Sequence, residues 1–205
     1  MSAEIAEPLS PAVAELDRQT DVLVDKGYPG LAGMSEQAFR GLVAPLRTQL
    51  PAERFVLVVS PVLVPAERMI DAVDLAGRSG FTTMEPEDLA RFQPIAEVSL
   101  SDSPAYLAVD PDTGADTLNV RPDDALHRIL AAGRTPLTLA EGLALATQLP
   151  QWLLERNCFE MLGSRAGDKR VTGIWVSKGA PRLGWCWGGN PHTWLGMASA
   201  ASRIG

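Results

Sequence analysis

The residues in this chain best suited to chemistry crowd into its last third. The stretch 157–199 (NCFEMLGSRAGDKRVTGIWVSKGAPRLGWCWGGNPHTWLGMAS) holds four of the five tryptophans, both cysteines and one of the two histidines. Arg165, Lys169 and Arg170 stand in a GSRAGDKR loop, and guanidinium groups are the better bidentate donors to a carboxylate or phosphate. Trp185, Trp187 and Trp194 offer flat apolar walls, with Asn190 and His192 as polar contacts. Aromatic walls with a few convergent polar groups are what a small-molecule pocket needs. His192 is the catalytic candidate, a general acid or base, with Arg165 or Arg170 to stabilise an anionic intermediate. Another titratable group within about 7 Å of His192 would favour that chemistry.

Several chemistries fall on residue count and spacing. Cys186 and His192 have the types of a thiol nucleophile and its activating base. Between two tryptophans, however, Cys186 reads first as a small buried hydrophobe. Cys158, Cys186 and His192 fall short of four zinc ligands and lack a CxxC arrangement, so no metal is expected. The loop Asp110–Asp116 lacks the closing glutamate of a calcium loop. GSRAGDKR has neither the glycine spacing nor the Lys-Ser/Thr ending of a P-loop. No resident cofactor is implied.

Composition sets the class. At 205 residues, with 46% hydrophobic and 21% charged residues, the chain fits one sizeable globular domain. Two cysteines fit a reducing compartment. The acidic start MSAEIAEPLSPAVAELDRQ lacks the basic-then-apolar layout of a signal peptide. The longest apolar run, FVLVVSPVLV at 55–64, is broken by Ser60 and Pro61. A soluble, cytoplasmic protein without a membrane partner is expected. Residues 1–150 carry 11 Lys and Arg against 22 Asp and Glu, a net of −11, whereas residues 151–205 carry a net of +4. A pI near 4.9 argues against nucleic acid as partner, while the basic tail suits a small anionic ligand or a peptide or protein segment.

The elements that must position the tail alternate between helix and strand. Ser10-Pro11 and Ser35 open two helices joined by the turn KGYPGLAG. Phe55–Val59 is a buried strand, 64–77 has helical spacing, and Phe81–Met84 is a short extended candidate. Ala105–Val109 alternates as a strand, with Leu118–Val120 as its expected hairpin partner. Pro122 opens a helix bearing His127 on its surface, and Thr138 with Glu141 forms a capping box. Val171–Ser177 and Leu183–Trp187 are strands joined through KGAPR. On the second, alternation puts Leu183, Trp185 and Trp187 on one face and Gly184 and Cys186 on the other. The expectation is an α+β domain spanning 1–205: a flexible tail (1–9), an N-terminal helical hairpin (10–50) and an α+β body (51–205). That body has a mixed or antiparallel sheet, covering helices and a C-terminal Trp-rich β-hairpin.

TPLTLAEGLAL (135–145), NCFEMLGSRAGDKRV (157–171) and PRLGWCWGGNPHTWLGMAS (181–199) together resemble an uncharacterised bacterial domain family, prominent in actinobacteria. VPAERMIDAVDLAGRSGFTTM (64–84) and LNVRPDDALHRILAAGRTPLT (118–138) extend the resemblance over roughly residues 10–200. Its most specific string is GWCWxGNPHTWLG. The resemblance implies cysteine where this chain has Ala166 and Ala201, so chemistry built on those thiols is not carried over. It implies no activity. Three function classes are compatible with these residues: a binding module with a groove lined by Arg165, Arg170, Trp185, Trp187, Asn190, His192 and Trp194; an enzyme using His192; or an assembly protein whose basic tail meets the acidic half of another copy.

Overall fold

The computed structural model describes residues 10–205, so the tail expected over 1–9 lies outside the described residues. Helix α1 (Pro11–Asp25) begins where the Ser10 hydroxyl accepts the Val13 N–H, and α2 (Glu36–Val43) where Ser35 accepts that of Ala38. Each cap satisfies a backbone donor that the first helical turn leaves unpaired. The chain continues through β1 (Phe55–Val59), α3 (Ala66–Ala72), β2 (Phe81–Thr82), β3 (Gln93–Pro94) and β4 (Ala105–Val109). Then come α4 (Pro122–Ala131), α5 (Leu139–Gln148), β5 (Cys158–Arg165), β6 (Arg170–Ser177), β7 (Ala180–Trp187), β8 (Leu195–Met197) and β9 (Ser202–Ile204). The architecture is α+β, and no helix among the described residues is long and apolar enough to cross a membrane.

The two largest sheets among the described residues share one core. The smaller is antiparallel, in the order β1-β4-β9; the larger is mixed, in the order β8-β5-β6-β7-β2, with β3 added on β5. Helix α5 packs against β1 of the first sheet and β5 and β6 of the second, and each of its residues is buried. Its apolar sequence LAEGLALATQ suits that position, since a helix covered all round needs no polar stripe. Gly142 makes the close approach: a Cβ there would collide with the Met161 sulfur. The other face of the large sheet is covered by α4, which buries Ala125 and Ile129 against Leu162, Val171 and Met197.

Two local expectations change. Gly163, Ser164 and Arg165 belong to β5 rather than to a loop, and the turn is confined to residues 166–169. The small residues serve packing at the start of α5. The Ser164 hydroxyl accepts the Leu139 N–H at 2.9 Å, and a Cβ on Gly163 would lie 2.7 Å from the Leu137 backbone. Leu118–Val120 is not a strand; β4 pairs instead with β1 and with the distant β9. Asn119 in that segment takes φ +63°, and its N–H bonds the carbonyl of His192 at 2.8 Å. The turn therefore anchors the loop after β7.

Candidate functional site

The register of β5, β6 and β7 decides which tail residues share a face. Phe159 opposes Ile174, which opposes Leu183, and Thr172 opposes Trp185; this face turns toward the main core. Glu160 opposes Gly173, Gly173 opposes Gly184, Val171 opposes Cys186, and Trp175 opposes Arg182, all on the other face. Two adjacent glycines thus clear a lane beside Glu160. The Glu160 side chain leans across Gly173, where a Cβ would meet its Cγ at 3.2 Å. The Trp175 ring lies over Gly184, where a Cβ would collide with it.

The loop after β7 closes this lane from above. Its backbone is tied to Lys169 through Gly188 N–H, to Asp123 through Gly188 C=O, and to Asn119 through His192 C=O. His192 is thereby held over the sheet, with Nε2 3.9 Å from Glu160 Oε1. The imidazole packs edge-on against Trp194 at 5.6 Å, and Trp194 packs edge-on against Trp175 at 6.1 Å. One donor atom each from Glu160, Cys186 and His192 lies within 4.8 Å of the others.

The electrostatics of this cluster are unusual. Glu160 is wholly buried (0% exposed), and neither carboxyl oxygen has a hydrogen-bond partner among the described residues. His192 Nε2 is likewise buried and unpartnered. Burial pushes the Glu160 carboxyl up to about 7, offset in part by Cys186 and by the Arg165 charge. Burial, then the neighbouring carboxylate, pushes the Cys186 thiol up to about 12. Desolvation lowers His192 below its ordinary value. All three groups favour their neutral forms, because charge without a partner is costly out of water.

The sequence-derived candidates divide between the two faces. Arg165, His192 and Trp194 gather around the Glu160 lane, with Arg165 bonded to Asp123 at 3.1 Å. Arg170 lies across the sheet, gripped by both oxygens of Asp88 at 2.6 and 2.7 Å and by Asp168 at 3.0 Å. Its guanidinium lies 5.4 Å from the Trp185 ring, and Trp187 stacks edge-on to Trp185 at 4.9 Å, both tryptophans partly exposed. Asn190 is exposed on the loop, its N–H bonded to the Trp187 carbonyl. Cys158 is unpaired, and its thiol bonds the Leu153 carbonyl. Glu160 and Trp175 were not among the expected site residues. The signal for Glu160 was one charge inside the apolar run CFEML, at a strand position facing two glycines.

A separate apolar cavity of about 220 Å³ lies between α3, the start of α5 and β4, lined by Leu89, Phe92, Leu100, Tyr106 and Leu139. Its lining includes none of Glu160, Cys186 and His192.

No curated protein and no solved structure matches the chain. A family model does match, over residues 22–205, which takes in both sheets and every residue of the Glu160 lane. The chain belongs to that family, described as a family of unknown function (DUF5701).

Proposed function

We propose that this protein is a cytoplasmic binding module whose small ligand is held beneath the loop after β7. Trp175 and Trp194 form the wall, Arg165 stands at the edge, and Glu160, Cys186 and His192 are the polar contacts. The observation that carries this reading is the set of unpartnered buried atoms on Glu160 and His192 that face one another. A buried polar atom left unpaired costs about 1–3 kcal/mol, more for a charge, so three at one point mark a place meant to be filled. A thermal-shift screen of metabolites and metal ions on wild type and His192→Ala tests it. At least one compound is expected to raise the melting temperature of wild type and not of the variant. Stabilisation by none, or equal stabilisation of both, defeats the reading.

Acid/base catalysis is the second reading, favoured by the 3.9 Å apposition of His192 and Glu160. With Arg170 committed to Asp88 and Asp168, stabilisation of an anion there falls to Arg165. Turnover of a compound found in the screen, lost in Glu160→Gln while binding persists, would select it.

A further inference from the structure

We infer that Glu160, Cys186 and His192 are three ligands of a zinc-like divalent metal ion, with one coordination position left for an exogenous molecule. The inference rests on the binding-module reading and names the ligand of that site. The donor set is one carboxylate oxygen, one sulfur and one imidazole nitrogen. That mixture suits a borderline ion such as Zn²⁺, whereas Ca²⁺ and Mg²⁺ select oxygen alone. Zinc bonds of about 2.0–2.2 Å to O and N and about 2.3 Å to S place tetrahedral ligands roughly 3.3–3.6 Å apart. The Glu160–His192 separation of 3.9 Å is within a small side-chain adjustment of that value.

The surroundings agree. Neither Glu160 oxygen nor His192 Nε2 has a well-formed protein hydrogen bond among the described residues, so coordination replaces at most the contact between the Cys186 thiol and the Glu160 carboxyl. The space beside Glu160 is too confined for a large organic molecule: Met197 pairs with Glu160 on one side, and Gly173 on the other admits little more than the glutamate itself. On binding, the Cys186 thiol gives its proton to solvent, as does Glu160 where protonated, and the sulfur and oxygen lone pairs form the metal bonds. Carboxylate, thiolate and neutral imidazole together balance the two positive charges of the ion. Cys158 takes no part, and among the described residues three protein ligands gather here, the number that leaves a position open in catalytic zinc sites.

The test is titration of the full-length metal-free protein with Zn²⁺ against a chromophoric chelator, and with Co²⁺ followed by absorption. One equivalent should bind, with a thiolate-to-cobalt charge-transfer band. Cys186→Ser, nearly isosteric and expected to fold, should abolish that band. It should also weaken zinc by more than the roughly 10–100-fold that losing an outer-shell partner costs. Glu160→Gln and His192→Ala should weaken zinc comparably, and Cys158→Ser should not. Circular dichroism of each variant separates lost ligation from lost fold. Binding that survives Cys186→Ser, or that requires Cys158, overturns the assignment. If zinc fails while another compound stabilises the protein in a His192-dependent way, the metal falls and the binding-module reading stands; if nothing binds, both fall.

Discussion

Among the described residues two glutamates lie fully inside the protein, and they are treated in opposite ways. Glu141, 1% exposed, accepts from Arg203 Nε at 2.5 Å, from a second Arg203 nitrogen at 2.8 Å, and from the backbone and hydroxyl of Thr138 at 2.7 and 3.0 Å. Arg203 in turn bonds Thr135 and the Pro136 carbonyl. Glu160, equally buried, has none of these. The first is a completed joint that ties β9 to the start of α5. The second is a carboxyl held out of water with its acceptors unpaired, beside an imidazole and a thiol. A fold that satisfies one buried carboxylate four times over has the means to satisfy another; leaving it open points to use rather than support.

The widest separation is expected when each glutamate loses its partner or its charge. Arg203→Met strands the Glu141 charge and should cost about 3–5 kcal/mol in urea or thermal unfolding. Glu160→Gln in metal-free protein should cost nothing and instead gain up to about 3 kcal/mol over wild type at neutral pH, since no pair is broken and an uncompensated buried charge is removed. Comparable losses for both would erase the distinction.

Acidity offers the next test. In the folded state Glu160 is raised from 4.5 to about 7, so the native protein holds a proton that the unfolded chain releases. Its favourable contribution is complete below about pH 4.5 and is lost as pH rises to 7. In metal-free wild type, with chelator present, stability should therefore fall by roughly 3 kcal/mol across that window relative to Glu160→Gln. Parallel pH profiles for the two proteins would show that the carboxyl titrates normally.

Smaller effects probe the lane itself. Gly184→Ala drives a methyl into the Trp175 ring and should cost about 1–3 kcal/mol, while Gly173→Ala displaces the Glu160 side chain and should weaken ligand binding more than stability. Smallest of all is the contrast between faces. Trp187→Ala, on the partly exposed outer end of β7, should change stability by about 0.5 kcal/mol and leave ligand affinity unaltered. Trp194→Ala, which removes the support of His192, should weaken binding measurably. Equal effects on affinity would dissolve the division between faces.

Much of this scaffold was legible in the sequence because local chemistry specifies it. The serine caps, the Thr138–Glu141 capping box, the Phe55–Val59 strand and the alternation of Leu183, Trp185 and Trp187 against Gly184 and Cys186 all arise from neighbouring residues. What escaped was long-range. The small residues of β5 read as a loop until the start of α5 is packed on them. The partner of β4 is ninety-odd residues away in β9, so a nearby apolar run looked a better match. The site was half legible for the same reason. His192, Arg165 and Trp194 stood out by type, but the company they keep depends on register across three strands. Only that register brings Glu160, past two glycines, beside Cys186.

The most direct trial of the central claim is an anomalous difference map at the zinc edge from crystals grown with one equivalent of Zn²⁺. One peak is expected about 2.0–2.3 Å from a Glu160 oxygen, Cys186 Sγ and His192 Nε2, with a fourth, non-protein ligand in place. A well-ordered crystal with no peak there, and a water bridging Glu160 and His192 instead, would contradict it.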